Sequence, residues 1–459
     1  MELMRPFPPL GIQYLVSWFR RETSFAVDWY DATFENDEDS FYQILLDQSP
    51  RVVGLYGHTL TRTVALEMSR KAEECGCVVI AGGPDPAQYA EEYLNGGVDI
   101  LVVGEGEHTL QEVMEHLKAN RWIPDPEILK DIHGLIFKDP AGAIHTTPPR
   151  KLIRPLDILP YPHRNPKNLN RYFNAWRDRH GETALSMNTS RGCPFHCTWC
   201  SKQVYGDTFR RRNHEKVVDE VLYLRETFDP DQIWFVDDVF TLNRAWVHRF
   251  CTEMVRREAT IPFYLVARPE TVDKPMLEAL KNAGCYRIYF SAESGVQHVL
   301  DAMNKHTKVE DIYRACALCK ELGIEIGLFV MLGYPGENFE DIQATLWMLN
   351  EIQPEVLLLS VAHPMKGTTF YDSVASQIVT PAGWAEENGG RLAFKMRFPH
   401  EFYTLAQKHI WNETELLKGI KQRHITGNII KTALKYPPTR LMFEWKGREL
   451  PWPSRISRE

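Results

Sequence analysis

The segment Arg191-Gly-Cys-Pro-Phe-His-Cys-Thr-Trp-Cys-Ser201 constrains this chain more than any other. Three cysteines, Cys193, Cys197 and Cys200, form a C-x3-C-x2-C array directly after the strand-like run at 184–190. A strand cannot carry its ladder through Gly-Cys-Pro, because Pro194 has no amide hydrogen. The chain must turn into a compact loop. With no secretion signal in the opening Met-Glu-Leu-Met-Arg-Pro-Phe, thiols at this density suit a soft metal centre better than disulfides. The ligand count then matters. A closed zinc site takes four ligands, and His196 or His214 would have to complete it. A four-iron cluster held by three cysteines instead leaves one iron open.

With an aromatic residue, Trp199, directly before the last cysteine, the array resembles the signature of the radical S-adenosylmethionine enzymes. The resemblance implies a 4Fe-4S cluster on Cys193, Cys197 and Cys200 as the catalytic centre. In that family the open iron chelates the amino and carboxylate groups of S-adenosylmethionine, and an electron from the cluster releases a 5′-deoxyadenosyl radical. It also implies an electron donor such as flavodoxin or ferredoxin.

From Ala184 onward strands and helices alternate. Candidate strands fall at 184–188, 232–236, 263–267, 287–291, 324–331 and 356–360, with helical stretches near 214–228, 243–257, 273–283, 308–322 and 338–351. Six parallel βα units are similar to the partial barrel of that family, whose chemistry collects at the carboxyl ends of the strands. Those ends carry the family's further motifs. Asp237 and Asp238 follow the second strand, where an acidic motif binds the methionine ammonium, unless they only cap the next turn. Arg268 ends the third strand and either balances the S-adenosylmethionine carboxylate or pairs with Glu270. Ser291-Ala-Glu-Ser-Gly resembles the ribose motif through Glu293. Gly333-Tyr-Pro-Gly-Glu matches the glycine-rich turn beside the adenine, and Pro364-Met-Lys-Gly-Thr-Thr-Phe-Tyr a later phrase.

The first part of the chain has a different pattern. Helices are expected at Gly11–Arg21 and 61–75, and strands at Phe25–Ala32, Arg51–Gly57, Val78–Gly82 and Asp99–Val103. Near-continuous apolar strands that end in glycine turns indicate a parallel, doubly wound sheet with ligands beyond the strands' carboxyl ends. Placed before a radical module, this resembles the cobalamin-binding domain of the B12-dependent subfamily, starting at Pro8-Pro-Leu-Gly. The resemblance places cobalamin at Gly57, His58, Thr59, Gly82, Gly83, Gly104 and Glu105. The Asp-x-His-x-x-Gly motif that supplies an axial histidine elsewhere is absent. The strand that usually precedes Pro-Pro-Leu-Gly is also missing, so either the start lies upstream or the sheet lacks its first strand.

The expected fold is therefore α/β: a Rossmann-like cobalamin-binding domain (1–138), a Pro-, Asp- and Arg-rich linker (139–183), a partial (β/α)6 radical barrel (184–378) and a mostly helical C-terminal extension (379–459). That extension includes helix-like 384–397 and 399–424 and an aromatic tail at 443–453. A net charge of −8 argues against broad nucleic-acid binding. No apolar run reaches the roughly 20 residues of a transmembrane segment. Of nine cysteines, those outside the array (Cys75, Cys77, Cys251, Cys285, Cys316, Cys319) read mostly as buried free thiols, and the location as cytoplasmic. Cys316-x-x-Cys319 falls in an amphipathic helical pattern. The expected function is methylation of an unactivated carbon of a small-molecule substrate, using S-adenosylmethionine and methylcobalamin. Radical cyclisation or rearrangement without methyl transfer is the enzymatic alternative, and a non-catalytic iron–sulfur protein the other.

Overall fold

A computed structural model describes residues 6–35, 39–379, 391–421, 436–437 and 439–447. Parts of the expected C-terminal helices (384–390 and 422–424) and the end of the aromatic tail lie outside these residues.

The first sheet holds β1 (Val52–Tyr56), β2 (Val78–Gly82), β3 (Ile100–Val102), β4 (Leu135–Lys138) and β5 (Ile144–Thr146) in that spatial order. β1, β2 and β3 are parallel, and β4 and β5 continue the sheet antiparallel. Both faces are covered, as the unbroken apolar strands require. On one face α2 (Asp39–Gln48), α3 (Arg62–Glu74) and α4 (Ala90–Asn95) bring Leu45, Ala72 and Leu94 against Val53, Leu55, Val79 and Ala81. On the other, Val113 and Leu117 of α5 (Gly106–Ala119) pack on Ile80, Ile100 and Val102. α1 (Leu10–Glu22) lies beside α5, where Trp18 Nε1 donates to Gln111 at 3.0 Å.

Two stretches differ from the expectation. Phe25–Ala32 forms no strand. It runs extended along the surface, with Phe25 against Phe19 and Trp122, and reaches a short 3-10 turn at Ala32–Phe34. Its alternating pattern reports an extended backbone, which needs no ladder partner to exist. Segment 139–183, expected as extended linker, supplies β5 and the helix Pro166–His180. Asn165 caps that helix, and Leu169, Tyr172, Phe173 and Trp176 bury one face.

The second sheet contains β6 (Ala184–Met187), β9 (Gln232–Phe235), β10 (Phe263–Ala267), β11 (Cys285–Glu293), β12 (Glu325–Leu332) and β13 (Val356–Val361), all parallel and neighbouring in that order. One face packs Leu185, Phe235, Leu265, Phe290 and Leu328 against the crossover helices. The helix His400–Lys421 adds Phe402, Ala406 and Ile410 to that core. The opposite face is concave. Between β6 and β9, β7 (Ser190–Arg191) and β8 (Arg210–Arg211) form a two-rung antiparallel neck. The loop they close, 192–209, carries all three cysteines of the array.

Candidate active site

The neck exists because of one glycine and one carboxylate. Gly192 has φ +85, and a Cβ there would lie 2.0 Å from the Thr208 carbonyl, so no other residue fits. Asp237, after β9, accepts from the amides of Thr189 (2.7 Å) and Ser190 (2.8 Å), from the Thr189 hydroxyl, and from Arg211 at 3.3 Å. The far side of the loop is held through Thr198. Its amide donates to the Met303 carbonyl, its carbonyl accepts from the Phe370 amide, and its hydroxyl meets the Tyr334 hydroxyl at 2.5 Å.

Cys193, Cys197 and Cys200 are free thiols on this held loop. Crowding by the surrounding protein pushes the half-buried Cys193 thiol up, and pushes the Cys200 thiol up to about 12 although that side chain reaches solvent, with Asp238 and the other thiols adding to it. Among the described residues no three His, Cys, Asp or Glu side chains converge on one point as ligands of a single ion do. A cluster asks for one thiolate per iron rather than convergence, so the donor set suits an iron–sulfur cluster. His196, the candidate fourth zinc ligand, is exposed and 3.7 Å from Asp207. Cys316 and Cys319 are buried on the barrel helix Val309–Leu322, inside the core.

The carboxylates after β9 part company. Asp237, expected to bind the methionine ammonium, is 2% exposed and fully engaged in holding the loop. Asp238, beside it, is exposed and accepts no hydrogen bond among the described residues; crowding by the surrounding protein and the Asp237 charge push its carboxyl up. Arg268 does pair with Glu270, and does more. Its guanidinium lies 3.7 Å from the Phe195 ring centroid, donates to Cys197 Sγ at 3.5 Å and to Thr307 Oγ1 at 3.2 Å, and reaches the Lys305 carbonyl. It supports the cysteine loop from beneath. Glu293 has φ +64, an unusual backbone for a residue with a side chain. Its carboxylate is buried 3.5 Å from Lys305 Nζ, and that ammonium sits 5.4 Å from the Trp199 ring. Lys305 was not anticipated; its place three residues past the short helix Gln297–Ala302 gives no sequence signal of its own. Gly333 (φ +80) starts a turn that Glu337 closes by accepting from the Gly333 amide. Burial pushes the Glu337 carboxyl up to about 8. Beside this turn Phe394, Lys395 and Arg397 line a cavity of about 450 Å³.

The glycine turns of the first sheet lie at its strands' carboxyl ends, directed toward the cysteine loop. Two of the glycines are explained by the protein's own packing. A Cβ at Gly57 would meet Pro86 at 2.5 Å, and one at Gly83 the Gly57 carbonyl at 2.5 Å. A Cβ at Gly82 would make ordinary contact with the Val102 carbonyl at 3.5 Å, and one at Gly104 (φ +85) with the Val204 carbonyl of the cysteine loop at 3.7 Å. Neither position is crowded as Gly57 and Gly83 are, which suits the approach of a large flat ligand to the backbone. His58 turns its Nδ1 to the Leu60 amide (3.2 Å), and Thr59 Oγ1 donates to Asp85 at 3.2 Å. Glu105 is instead a bridge between the sheets. It accepts from Arg191 (2.7 Å), Arg210 (2.7 Å) and the Ile153 amide (2.7 Å), while Glu107 takes the other end of Arg191 at 2.6 Å. All four charged side chains are at most 4% exposed. Gln88 and Gln203 join at 2.6 Å, and Lys366 lies 4.3 Å over the Tyr89 ring. The carboxyl ends of the two sheets thus face each other across the cysteine loop.

Two family models match the chain: the Radical SAM superfamily over residues 187–349 and the B12 binding domain over residues 4–114. An uncharacterized methyltransferase of Pyrococcus horikoshii is 27% identical over 93% of both chains. The cytidylyl-2-hydroxyethylphosphonate methyltransferase of Streptomyces wedmorensis is 25% identical over 86% of this chain and 82% of its own. The anaerobic magnesium-protoporphyrin IX monomethyl ester cyclase of Rubrivivax gelatinosus is 24% identical over 82% and 68%. Among solved structures, the radical S-adenosylmethionine methyltransferase TsrM of Kitasatospora setae, with cobalamin and a [4Fe-4S] cluster bound, superposes with a TM-score of 0.70 at 20% identity, covering 82% of this chain and 73% of its own. The cobalamin-dependent S-adenosylmethionine radical enzyme OxsB gives 0.72 at 19%, covering 97% and 70%. No helix among the described residues is long and apolar enough to cross a membrane.

Proposed function

Because the chain belongs to the B12-dependent radical S-adenosylmethionine enzymes, with both domain models matched along one polypeptide, we propose that it methylates an unactivated carbon of a small metabolite. The observation that carries this reading is the facing of the two sheets' carboxyl ends across loop 192–209, fixed by the buried Glu105–Arg191–Arg210 bridge. When bound, the cluster with S-adenosylmethionine supplies the 5′-deoxyadenosyl radical and cobalamin the methyl group. Cys193, Cys197 and Cys200 hold the cluster. Asp238 is the carboxylate placed to accept from the methionine ammonium; Glu293 and Lys305 form the charged pair at the ribose end, and the Gly333 turn supplies backbone for the adenine. Gly82 and Gly104 give the corrin its approach, and no histidine is offered from an Asp-x-His-x-x-Gly loop. The fold keeps these parts in one orientation, which is the protein's share of such a reaction. A reducing cytoplasm and an electron donor of the flavodoxin or ferredoxin kind fit this chemistry.

Ring formation without methyl transfer is the rival reading, and the likeness to the Rubrivivax cyclase supports it. The two separate on the mass of the product. Anaerobically reconstituted enzyme given S-adenosylmethionine with a deuterated methyl group is expected to yield a product carrying that label. A product without the label refutes methyl transfer and leaves cyclisation.

A further inference from the structure

Thr198 stands between two of the cysteines, Cys197 and Cys200, and each of its polar groups is taken by another segment. Its amide donates to the Met303 carbonyl at 3.1 Å, and its carbonyl accepts from the Phe370 amide at 2.8 Å. Its hydroxyl lies 2.5 Å from the Tyr334 hydroxyl and 3.2 Å from the Met303 carbonyl. Tyr334 is the second residue of the Gly333-Tyr-Pro-Gly-Glu turn after β12. Its ring is 6% exposed, lies 5.0 Å from that of Phe370, and packs with Val299, Met303 and Ala362. The turn is fixed from its other side as well. The Glu337 amide donates to the Tyr334 carbonyl at 3.0 Å, the Gly333 amide donates to the Glu337 carboxyl group, and a Cβ at Gly333 would fall 2.2 Å from Met396.

The two hydroxyls have one hydrogen each. Tyr334 O–H to Thr198 Oγ1, with Thr198 O–H to the Met303 carbonyl, uses both short contacts; the reverse order leaves Tyr334 only the Ala302 carbonyl at 3.4 Å. Among the described residues this is the only hydrogen bond between the turn and loop 192–209. We infer that Tyr334 is a positioning residue: its hydroxyl, acting through Thr198, sets the distance between the turn that receives the adenine and the loop that holds the cluster. S-adenosylmethionine has to reach both at once, with its methionine end at the open iron and its adenine on the turn. Slack between the two costs productive geometry. The inference rests on the reading of the Gly333 turn as the adenine subsite, and deepens it by naming what ties that subsite to the cluster.

Binding without turnover tests it. Tyr334→Phe keeps the ring against Phe370 and removes one hydroxyl; Thr198→Val keeps the shape and removes the other. Both full-length variants, reconstituted with iron and sulfide, are expected to carry the parent's iron content. S-adenosylmethionine affinity, read from the EPR signal of the reduced cluster, is expected to fall about five-fold or more in each, the worth of one hydrogen bond. The double variant should lose no more than either single one, and Thr198→Ser should bind as the parent does. L-Methionine, which reaches the open iron without an adenine, is expected to bind parent and variants alike. Unchanged S-adenosylmethionine affinity in Tyr334→Phe, losses that multiply in the double variant, an equal loss of methionine, or loss of iron each overturns the inference. The two readings fail separately. A parent that binds S-adenosylmethionine no more tightly than methionine sinks the adenine subsite on the turn. A parent that prefers S-adenosylmethionine, with variants that lose both ligands equally, sinks the role of Tyr334 alone.

Discussion

Replacing Asp237 by alanine removes acceptors from two amides and leaves Arg211 buried with no carboxylate partner, held by the Phe240 carbonyl and the Trp246 ring. Breaking a buried pair in this way costs about 3–5 kcal/mol. The Asp237→Ala protein is expected to melt several degrees lower and to lose iron on desalting. Asp238→Ala is expected to do neither. Its loss should appear as weaker S-adenosylmethionine binding, by roughly ten- to a hundred-fold for a charge-assisted hydrogen bond of about 1.5–3 kcal/mol. Calorimetry and a spectral titration of the cluster with S-adenosylmethionine distinguish the pair. Arg268 offers a second residue-scale test. Lysine keeps the charge but loses the planar stack on Phe195 and the fork that reaches Cys197, Lys305 and Thr307 at once. Arg268→Lys is expected to assemble its cluster and to show a more negative midpoint potential in an EPR-monitored titration, since an N–H donor toward a ligand sulfur favours the reduced cluster. The sequence made both aspartates visible at a strand end. It could not tell them apart, because the amides and the arginine that claim Asp237 come from residues 26 to 48 positions away.

The turn after β12 and the neck before the cysteines carry their own consequences. Burial holds the Glu337 carboxyl near 8, well above its unfolded value of about 4.5. The folded state therefore keeps a proton that the unfolded state gives up. Stability is full below about pH 4.5, falls as pH rises toward 8, and levels off beyond, with a ceiling of about 5 kcal/mol at about 1.4 kcal/mol per unit. Glu337→Gln is expected to flatten that decline, read as the difference between wild-type and variant urea melts at pH 5, 6.5 and 8. Gly192→Ala meets both a left-handed backbone and the Thr208 carbonyl. It should open the neck and lower iron uptake without unfolding the first sheet, checked by iron analysis beside circular dichroism. The strands of the second sheet were readable because apolar runs, crossover helices and strand-end motifs all agree there. The helix at Pro166–His180 carries its own signals, Asn165-Pro166 and the spacing of Leu169, Tyr172, Phe173 and Trp176, but the surrounding prolines make the segment read as a linker. Phe25–Ala32 was not readable, since period-two alternation is shared by strands and by extended chain lying on a surface.

At the scale of the whole molecule, the buried Glu105–Arg191–Arg210 bridge joins the two sheets where the motif arginine meets the Gly104-Glu-Gly-Glu turn. Glu105→Ala leaves the buried Arg210 without a carboxylate and Arg191 with Glu107 alone, and the protein is expected to unfold in two calorimetric steps in place of one, with faster proteolysis between residues 139 and 183. Each half of the bridge was legible as a motif, and neither suggested the other, because a contact spanning 86 residues leaves no trace in local pattern. The same bridge sets a thermodynamic condition on the finished enzyme. Arg191 precedes the cysteines by two positions, and Glu105 follows the Gly104 turn of the other sheet. A ligand that shifts either end biases both, so occupancy of one site is coupled to occupancy of the other. Such coupling is reciprocal: whatever factor S-adenosylmethionine imposes on the affinity for cobalamin, cobalamin imposes on S-adenosylmethionine.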